Sequence, residues 1–270
     1  MTVILLRHGR STSNTAGTLA GRSEGVDLDD KGREQAAGLI DRIGDLPIRA
    51  VVSSPLLRCR RTVEPLAEAL CLEPLIEDQL AEVDYGEWTG RKLGELVSES
   101  LWRVVQAHPS AAVFPGGEGL AQVQARAVAA IRAHDRRLAQ ELGGDALWVA
   151  CTHGDVIKAV IADAYGMHLD GFQRITADPA SVSVIRYTEI RPFVLHVNHT
   201  GARLSAALRA GPPKKDDSKA ATDGETTDGT KDEAADGTKD EANEGSNDES
   251  PKQPAAAVPS SDAVIGGSTD

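Results

Sequence analysis

The chain has 270 residues, with 29 Lys and Arg against 41 Asp and Glu, and a formal net charge of −12. Fifteen of the acids, against six lysines, fall between Pro213 and Asp270, so the first 212 residues carry a net charge of only −3. That balance argues against a nucleic-acid or membrane-surface partner, and no apolar run reaches the roughly 18 residues a membrane-spanning helix needs.

Val3, Ile4, Leu5 and Leu6 form an apolar run of strand length that stops at Arg7-His8-Gly9, and a polar turn follows through Asn14. Residues 19–27 are a glycine-rich loop. Asp29 or Asp30 then caps a helix with an apolar stripe of Ala36, Leu39, Ile40 and Ile43, and Gly44 and Pro47 end it. Residues 50–54 read as a short buried strand, and Pro55 opens a helix that runs to Leu70. A further short strand at residues 74–77 leads into an irregular loop, residues 80–90, with clustered carboxylates and two glycines. Residues 93–107 give one or two helices, broken at Phe114-Pro115-Gly116-Gly117. A long helix follows over about residues 118–142, stopped by Gly143-Gly144. Residues 146–151 are the next buried strand, ending in Thr152-His153-Gly154-Asp155, and residues 156–165 form a helix. Residues 181–187 and 192–197 read as a closing hairpin.

Strands alternating with helices predict a three-layer α/β/α sandwich around a mostly parallel sheet, which the closing hairpin makes mixed. All nine aromatic residues lie between Tyr85 and Phe193, so one domain is expected over residues 1–205. Residues 206–270 are expected to be an acidic, low-complexity, disordered tail. Within them DGTKDEA occurs at residues 228–234 and again at 236–242, too short and polar a repeat to build a fold. Cys59, Cys71 and Cys151 are odd in number and far apart, which fits a reducing compartment better than a disulfide framework. A cytoplasmic protein is expected.

Two strands end in histidine. If they are parallel neighbours, His8 and His153 meet in one crevice at the carboxyl ends of the sheet. His8 is a nitrogen nucleophile that is largely neutral near pH 7. Arg7 offers a permanent fork of donors for phosphate or carboxylate oxygens, and Gly9 lets a ligand approach the main chain.

Arg7-His8-Gly9 with Asn14, Ser53-Ser54-Pro55-Leu56 through Arg58 and Thr62, Glu82 with Gly86 and Trp88, and Thr152-His153-Gly154 occur in this order. The set resembles the histidine phosphatase superfamily, the phosphoglycerate-mutase-like fold, over roughly residues 1–200. The resemblance implies that His8 attacks phosphorus and becomes a phosphohistidine. Arg7, Arg58 and His153 then supply donors to the phosphoryl oxygens, with Asn14 as a further one, and Glu82 serves as general acid and base. Asp84 and Glu87 compete with Glu82 for that role within the same loop. Two arginines can neutralise a phosphate without a metal, so neither metal nor cofactor is expected.

The chain departs from the family pattern in places. Arg10 stands where many relatives carry an acid or Gln, Ser11 replaces the commoner Thr, and Gly119 replaces a helix-capping Ser. Arg10 and Arg22 near the mouth hint at a substrate with a second anionic group, unless Arg10 merely pairs with a nearby acid. The expected activity is a phosphatase acting on a small phosphorylated metabolite. A mutase is the alternative, although residues 90–115 lack the paired arginines that glycolytic mutases place over a bisphosphate. A non-catalytic binding module that recruits partners through its tail is the third, and the complete set of site residues argues against it. A homo-oligomer and an unknown partner for the tail are left open.

Overall fold

The computed structural model describes residues 1–143 and 146–201. The acidic segment, the boundary expected at residue 205 and Gly144 of the expected Gly-Gly stop lie outside the described residues.

The first strand, β1 (Thr2–Arg7), is followed by the four-residue helix α1 (Thr12–Thr15), then α2 (Asp30–Ala37) and α3 (Leu39–Ile43). The single helix expected here is two, divided at Gly38, with Asp29 as the N-cap of α2, accepting from the Gly32 N–H at 2.7 Å. Next come β2 (Ile48–Ser53), α4 (Leu57–Ala69) and the two-residue β3 (Leu75–Ile76). Pro55 stands two residues before α4, and Leu56 takes the N-cap position. The 80–90 loop holds two turns of 3₁₀ helix, Asp78–Leu80 and Gly86–Trp88. Helices α5 (Leu93–Leu96), α6 (Ser100–Ala107) and α7 (Leu120–Leu142) follow. At the start of α7, Gly119 has no side chain to cap the helix. Instead Gln122 reaches back and accepts from the Gly119 N–H at 2.8 Å. The chain then forms β4 (Leu147–Thr152), α8 (Gly154–Ala164), β5 (Val182–Tyr187) and β6 (Pro192–His199).

The strands form one six-stranded sheet in the order β3-β2-β4-β1-β5-β6. β1, β2, β3 and β4 are parallel, and β5 runs antiparallel to both β1 and β6. The sheet is therefore mixed, as expected. Alternation along the strands supplies two cores. Val3, Leu5, Trp148, Ala150 and Ile185 point to one face, where Val123, Ala127 and Ile131 of α7 and Ile157, Val160 and Ile161 of α8 cover them. Ile4, Leu6, Val149, Cys151 and Val182 point to the other, under Leu39 and Ile43 of α3 and Cys59, Val63 and Leu66 of α4.

This topology sets the site. Arg7 pairs with Thr152 at the last register position of β1 and β4. The next amide, His8 N–H, still donates to Thr152 O at 3.0 Å, and Ser54 N–H donates to Cys151 O at 2.9 Å. Three parallel strands thus end side by side, delivering Arg7-His8, Thr152-His153 and Ser53-Ser54 to one edge. Among the described residues no helix is long and apolar enough to cross a membrane.

Candidate active site

The turn after β1 is held by backbone as well as side chains. Gly9 N–H donates to Thr62 Oγ1 at 2.9 Å, and Thr62 Oγ1 donates to Arg58 O at 2.6 Å. One hydroxyl of α4 therefore fixes both the nucleophile's turn and the helix segment that carries Arg58. Gly9 also lies against Gly32 of α2. A Cβ on Gly9 would stand 2.7 Å from Gly32 O, and one on Gly32 would collide with the Arg10 carbonyl.

His8 is buried, and its Nδ1 lies 2.7 Å from Gly9 O. A carbonyl only accepts, so Nδ1 carries the proton and the Nε2 lone pair is left for chemistry. Burial first, then Arg58 and Arg7, hold the His8 pKa well below 6.5. The ring is neutral at neutral pH. His153 stands 5.2 Å away, ring centroid to centroid, and is kept neutral by burial, Arg58, His8 and Arg7. Its Nε2 is 2.8 Å from Ser54 Oγ, and its Nδ1 is 3.8 Å from Glu82 Oε2.

Arg7 NH1 donates to Ala177 O at 2.7 Å, and Arg58 NH2 donates to Gly21 O at 2.8 Å. Arg58 NH1 is buried and has no hydrogen-bond partner among the described residues. A guanidinium N–H in that state is costly unless an anion completes it. Asn14 accepts from Ser11 N–H at 3.0 Å and Ser11 Oγ at 2.8 Å, so Oδ1 is committed and Nδ2 remains as its donor.

Glu82 is 5% exposed, and its Oε1 accepts from Val83 N–H at 3.0 Å. Burial and the nearby Asp155 charge raise its pKa to about 7, against the opposing pull of Arg58 and Arg7. The carboxyl is thus poised to give and take a proton near neutrality. Its loop is clamped from outside. Arg22 Nε and Arg126 NH2 both donate to Glu82 O, at 2.9 and 3.2 Å, and both arginines pair with Glu118. Thr152 Oγ1 holds the front of the loop by donating to Leu80 O at 2.6 Å.

The crevice is lined by Arg7, His8, Asn14, Arg58, Glu82 and Tyr85, with Ser11, Ser13, Thr18, Leu19, Ala20, Gly21 and Leu93 around them. The structure brings Arg7, His8, Asn14, Arg58 and Glu82 together as lining residues and sets the His153 ring 5.2 Å from that of His8. Arg10 and Arg22 are not brought there. Arg10 Nε pairs with Asp29 Oδ2 at 2.6 Å, and Arg22 is spent on Glu118 and the Glu82 carbonyl. The second anion site hinted at by those two arginines is not formed: each is drawn to an acid distant in sequence. The rim of the crevice is a backbone brace. Leu19 N–H donates to Arg91 O at 2.9 Å, Gly90 N–H to Leu19 O at 2.8 Å, and Leu93 N–H to Gly17 O at 2.9 Å.

Several residues of the site were not singled out in sequence. Ser54 and Thr62 sit inside a quoted motif, so proximity to Arg58 was their signal. Asp155 follows His153-Gly154 directly, whereas Arg126 is one of several arginines on a long helix and carries no sequence signal. Among the described residues, no three His, Cys, Asp or Glu side chains converge as a metal site would need.

A parallel sheet edge that presents a neutral histidine, buried guanidinium donors and a proton-bearing carboxyl to one crevice is the arrangement of a phosphoryl-transfer fold. The family model described as Histidine phosphatase superfamily (branch 1) matches residues 3–200, and the chain belongs to that superfamily. It is 31% identical over 201 residues to Phosphoserine phosphatase 1 of Hydrogenobacter thermophilus, covering 73% of this chain and 92% of that one. It is 27% identical over 190 residues to the Erwinia tasmaniensis protein named Probable phosphoglycerate mutase GpmB, covering 69% and 85%. A mycobacterial glucosyl-3-phosphoglycerate phosphatase solved with VO3 shares the fold, with a TM-score of 0.66, 24% identity and coverage of 73% and 98%.

Proposed function

We propose that the chain is a phosphoric monoester hydrolase that cleaves a small phosphorylated metabolite through a phosphohistidine on His8. The observation that carries this is the commitment of His8 Nδ1 to Gly9 O, which fixes the tautomer whose Nε2 can attack, in a ring that burial, Arg58 and Arg7 keep neutral. Nε2 forms a bond to phosphorus as the ester P–O bond breaks. Charge spread over the equatorial oxygens meets the guanidinium groups of Arg7 and Arg58, the Asn14 amide and His153. Glu82 gives its proton to the departing oxygen, and the alcohol leaves. Water then attacks phosphorus, the P–N bond breaks, Glu82 recovers a proton from the water, and phosphate departs from neutral His8.

The crevice lining also bears on the substrate. Beyond Arg7, Arg58, His8 and Glu82 it consists of hydroxyls, an amide, glycine and apolar side chains. With Arg10 and Arg22 engaged elsewhere, the described lining residues offer no cation for a second phosphate beyond Arg7 and Arg58. That favours an ester with one phosphate and a small organic part, and it favours hydrolysis over mutase action, which must seat a second phosphorylated position. In this scheme the catalytic unit is residues 1–205, the acidic segment is a solvating appendage, and the enzyme works in the cytoplasm, a reading that the three free cysteines support.

The test is a panel of phosphorylated metabolites assayed in EDTA with the wild-type chain and His8→Ala. Turnover and an acid-labile, base-stable phosphoprotein are expected in the wild type, and neither in His8→Ala. A phosphoprotein that still forms in the variant would overturn the assignment of the nucleophile.

A further inference from the structure

Two residues after His153 lies a second buried acid that the reaction scheme does not use. Asp155 is the second residue of α8 and 1% exposed. Its Oδ2 accepts from Tyr85 Oη at 2.7 Å, and its Oδ1 accepts from Lys158 Nζ at 3.3 Å, one turn along the helix. Lys158 is equally buried, donates to Gln173 Oε1 at 2.5 Å and lies 4.4 Å above the Phe172 ring. Burying an acid, a lysine and a tyrosine hydroxyl together is expensive unless each is fully bonded. A helix-capping role alone does not call for Tyr85 or Lys158.

Each partner ties Asp155 to the site. Tyr85 lines the crevice three residues after Glu82, on the same loop, and packs edge-on to Phe114 at 4.9 Å. Its ring also abuts Gly21, whose carbonyl receives Arg58. Asp155 itself starts the helix that follows His153. The Tyr85–Asp155 bond therefore joins the loop of the general acid to the strand end bearing the second histidine.

We propose that Asp155 is a positioning residue for Glu82, holding its loop through the Tyr85 hydroxyl and acting on the Glu82 proton through its own charge. This rests on Glu82 being the general acid. Titratable and charged groups face Glu82 from every element around it: Arg7 from β1, Arg58 from α4, Tyr85 from its own loop, His153 at the end of β4, Asp155 and Lys158 from α8, and Arg22 with Arg126 of α7 at its carbonyl, both paired with Glu118. Burial opposes ionisation of Glu82 most, and the charge of Asp155 comes next.

The experiment compares pH profiles of kcat/KM for one alkyl phosphate and for nitrophenyl phosphate, in the wild-type chain, Asp155→Asn and Tyr85→Phe. The alkyl ester needs a protonated Glu82, so its rate falls as pH rises through the Glu82 ionisation. The substrate's own second ionisation is common to all proteins and drops out of the comparison. Asp155→Asn can still accept from Tyr85 but has lost the charge. Its falling limb is expected roughly one pH unit lower for the alkyl ester, with the nitrophenyl profile unchanged. Tyr85→Phe keeps the charge and loses the tether, so the limb should stay in place while the alkyl plateau drops several-fold. If Asp155→Asn does not fold, Asp155→Ser supplies a smaller neutral residue for the same comparison. A limb that does not move, or losses equal for both substrates, overturns the proposal. Glu82→Gln separates the two levels: if it costs both substrates equally, Glu82 is not the acid and the premise has failed, rather than the role of Asp155.

Discussion

Replacing Glu82 by Gln should weaken catalysis and strengthen the fold, and the second effect can be sized. Unfolded, this carboxyl loses its proton near 4.5; folded, it does so near 7. Between those values the unfolded chain sheds the proton first, so rising pH weakens the fold, and above pH 7 the penalty is complete. Below 4.5 both states are protonated and the penalty vanishes. Moving a carboxyl from 4.5 to about 7 corresponds to about 3 kcal/mol. Glu82→Gln is neutral at every pH and close to the protonated glutamic acid in shape. Urea denaturation should therefore find it more stable than the wild type by about 3 kcal/mol at pH 8 and nearly equal to it at pH 4. Kinetics at pH 6, where most wild-type Glu82 is protonated, should show alkyl esters slowed by about 10²- to 10⁴-fold. Nitrophenyl phosphate should still phosphorylate the enzyme, giving a burst of nitrophenol and then slow hydrolysis. A stability gain that is the same at pH 4 and pH 8 would refute the raised ionisation of Glu82. Equal kinetic losses for both esters would move the acid to Asp84 or Glu87.

Two further outcomes follow from the geometry. Thr62→Val leaves the buried Gly9 N–H unbonded and should cost about 1–3 kcal/mol in urea denaturation, with a raised KM because Arg58 is loosened too, whereas Thr62→Ser should restore both. Truncation after residue 210 leaves every described member of both apolar clusters in place, so Tm and kcat should hold. A steep fall in either would mean that the acidic segment docks on the catalytic unit, and high salt should then weaken that docking.

The framework of the site was legible because it follows from short-range pattern. Apolar runs ending in His8 and His153 specify buried parallel strands, and parallel neighbours bring their carboxyl ends together. Arg58 was legible for the same reason, standing in the first turn of the helix that leaves β2. What escaped depends on pairing at long range. Arg10 meets Asp29 and Arg22 meets Glu118, partners 19 and 96 residues away, so neither arginine could be assigned from its neighbours. Tyr85 and Asp155 are 70 residues apart and meet only because α8 starts where the Glu82 loop passes. The break between α2 and α3 was missed because the apolar stripe runs on through Gly38, whose right-handed backbone (φ −68°, ψ −7°) leaves the periodicity nearly intact.

The brace joining residues 17–19 to residues 90–93 has a consequence for how such an enzyme changes over generations. Its bonds are made by main-chain groups, so the side chains of Ser13, Thr18 and Ala20 can be exchanged without unfastening the rim that presents them, while Leu19 and Leu93 are held by the core. The opposite end of the crevice has no such freedom. A methyl group on Gly9 or Gly32 strikes backbone, and Thr62 holds two backbone groups at once. Drift toward a new alcohol is therefore open to single substitutions at the rim, while the part that handles phosphorus stays rigidly inherited.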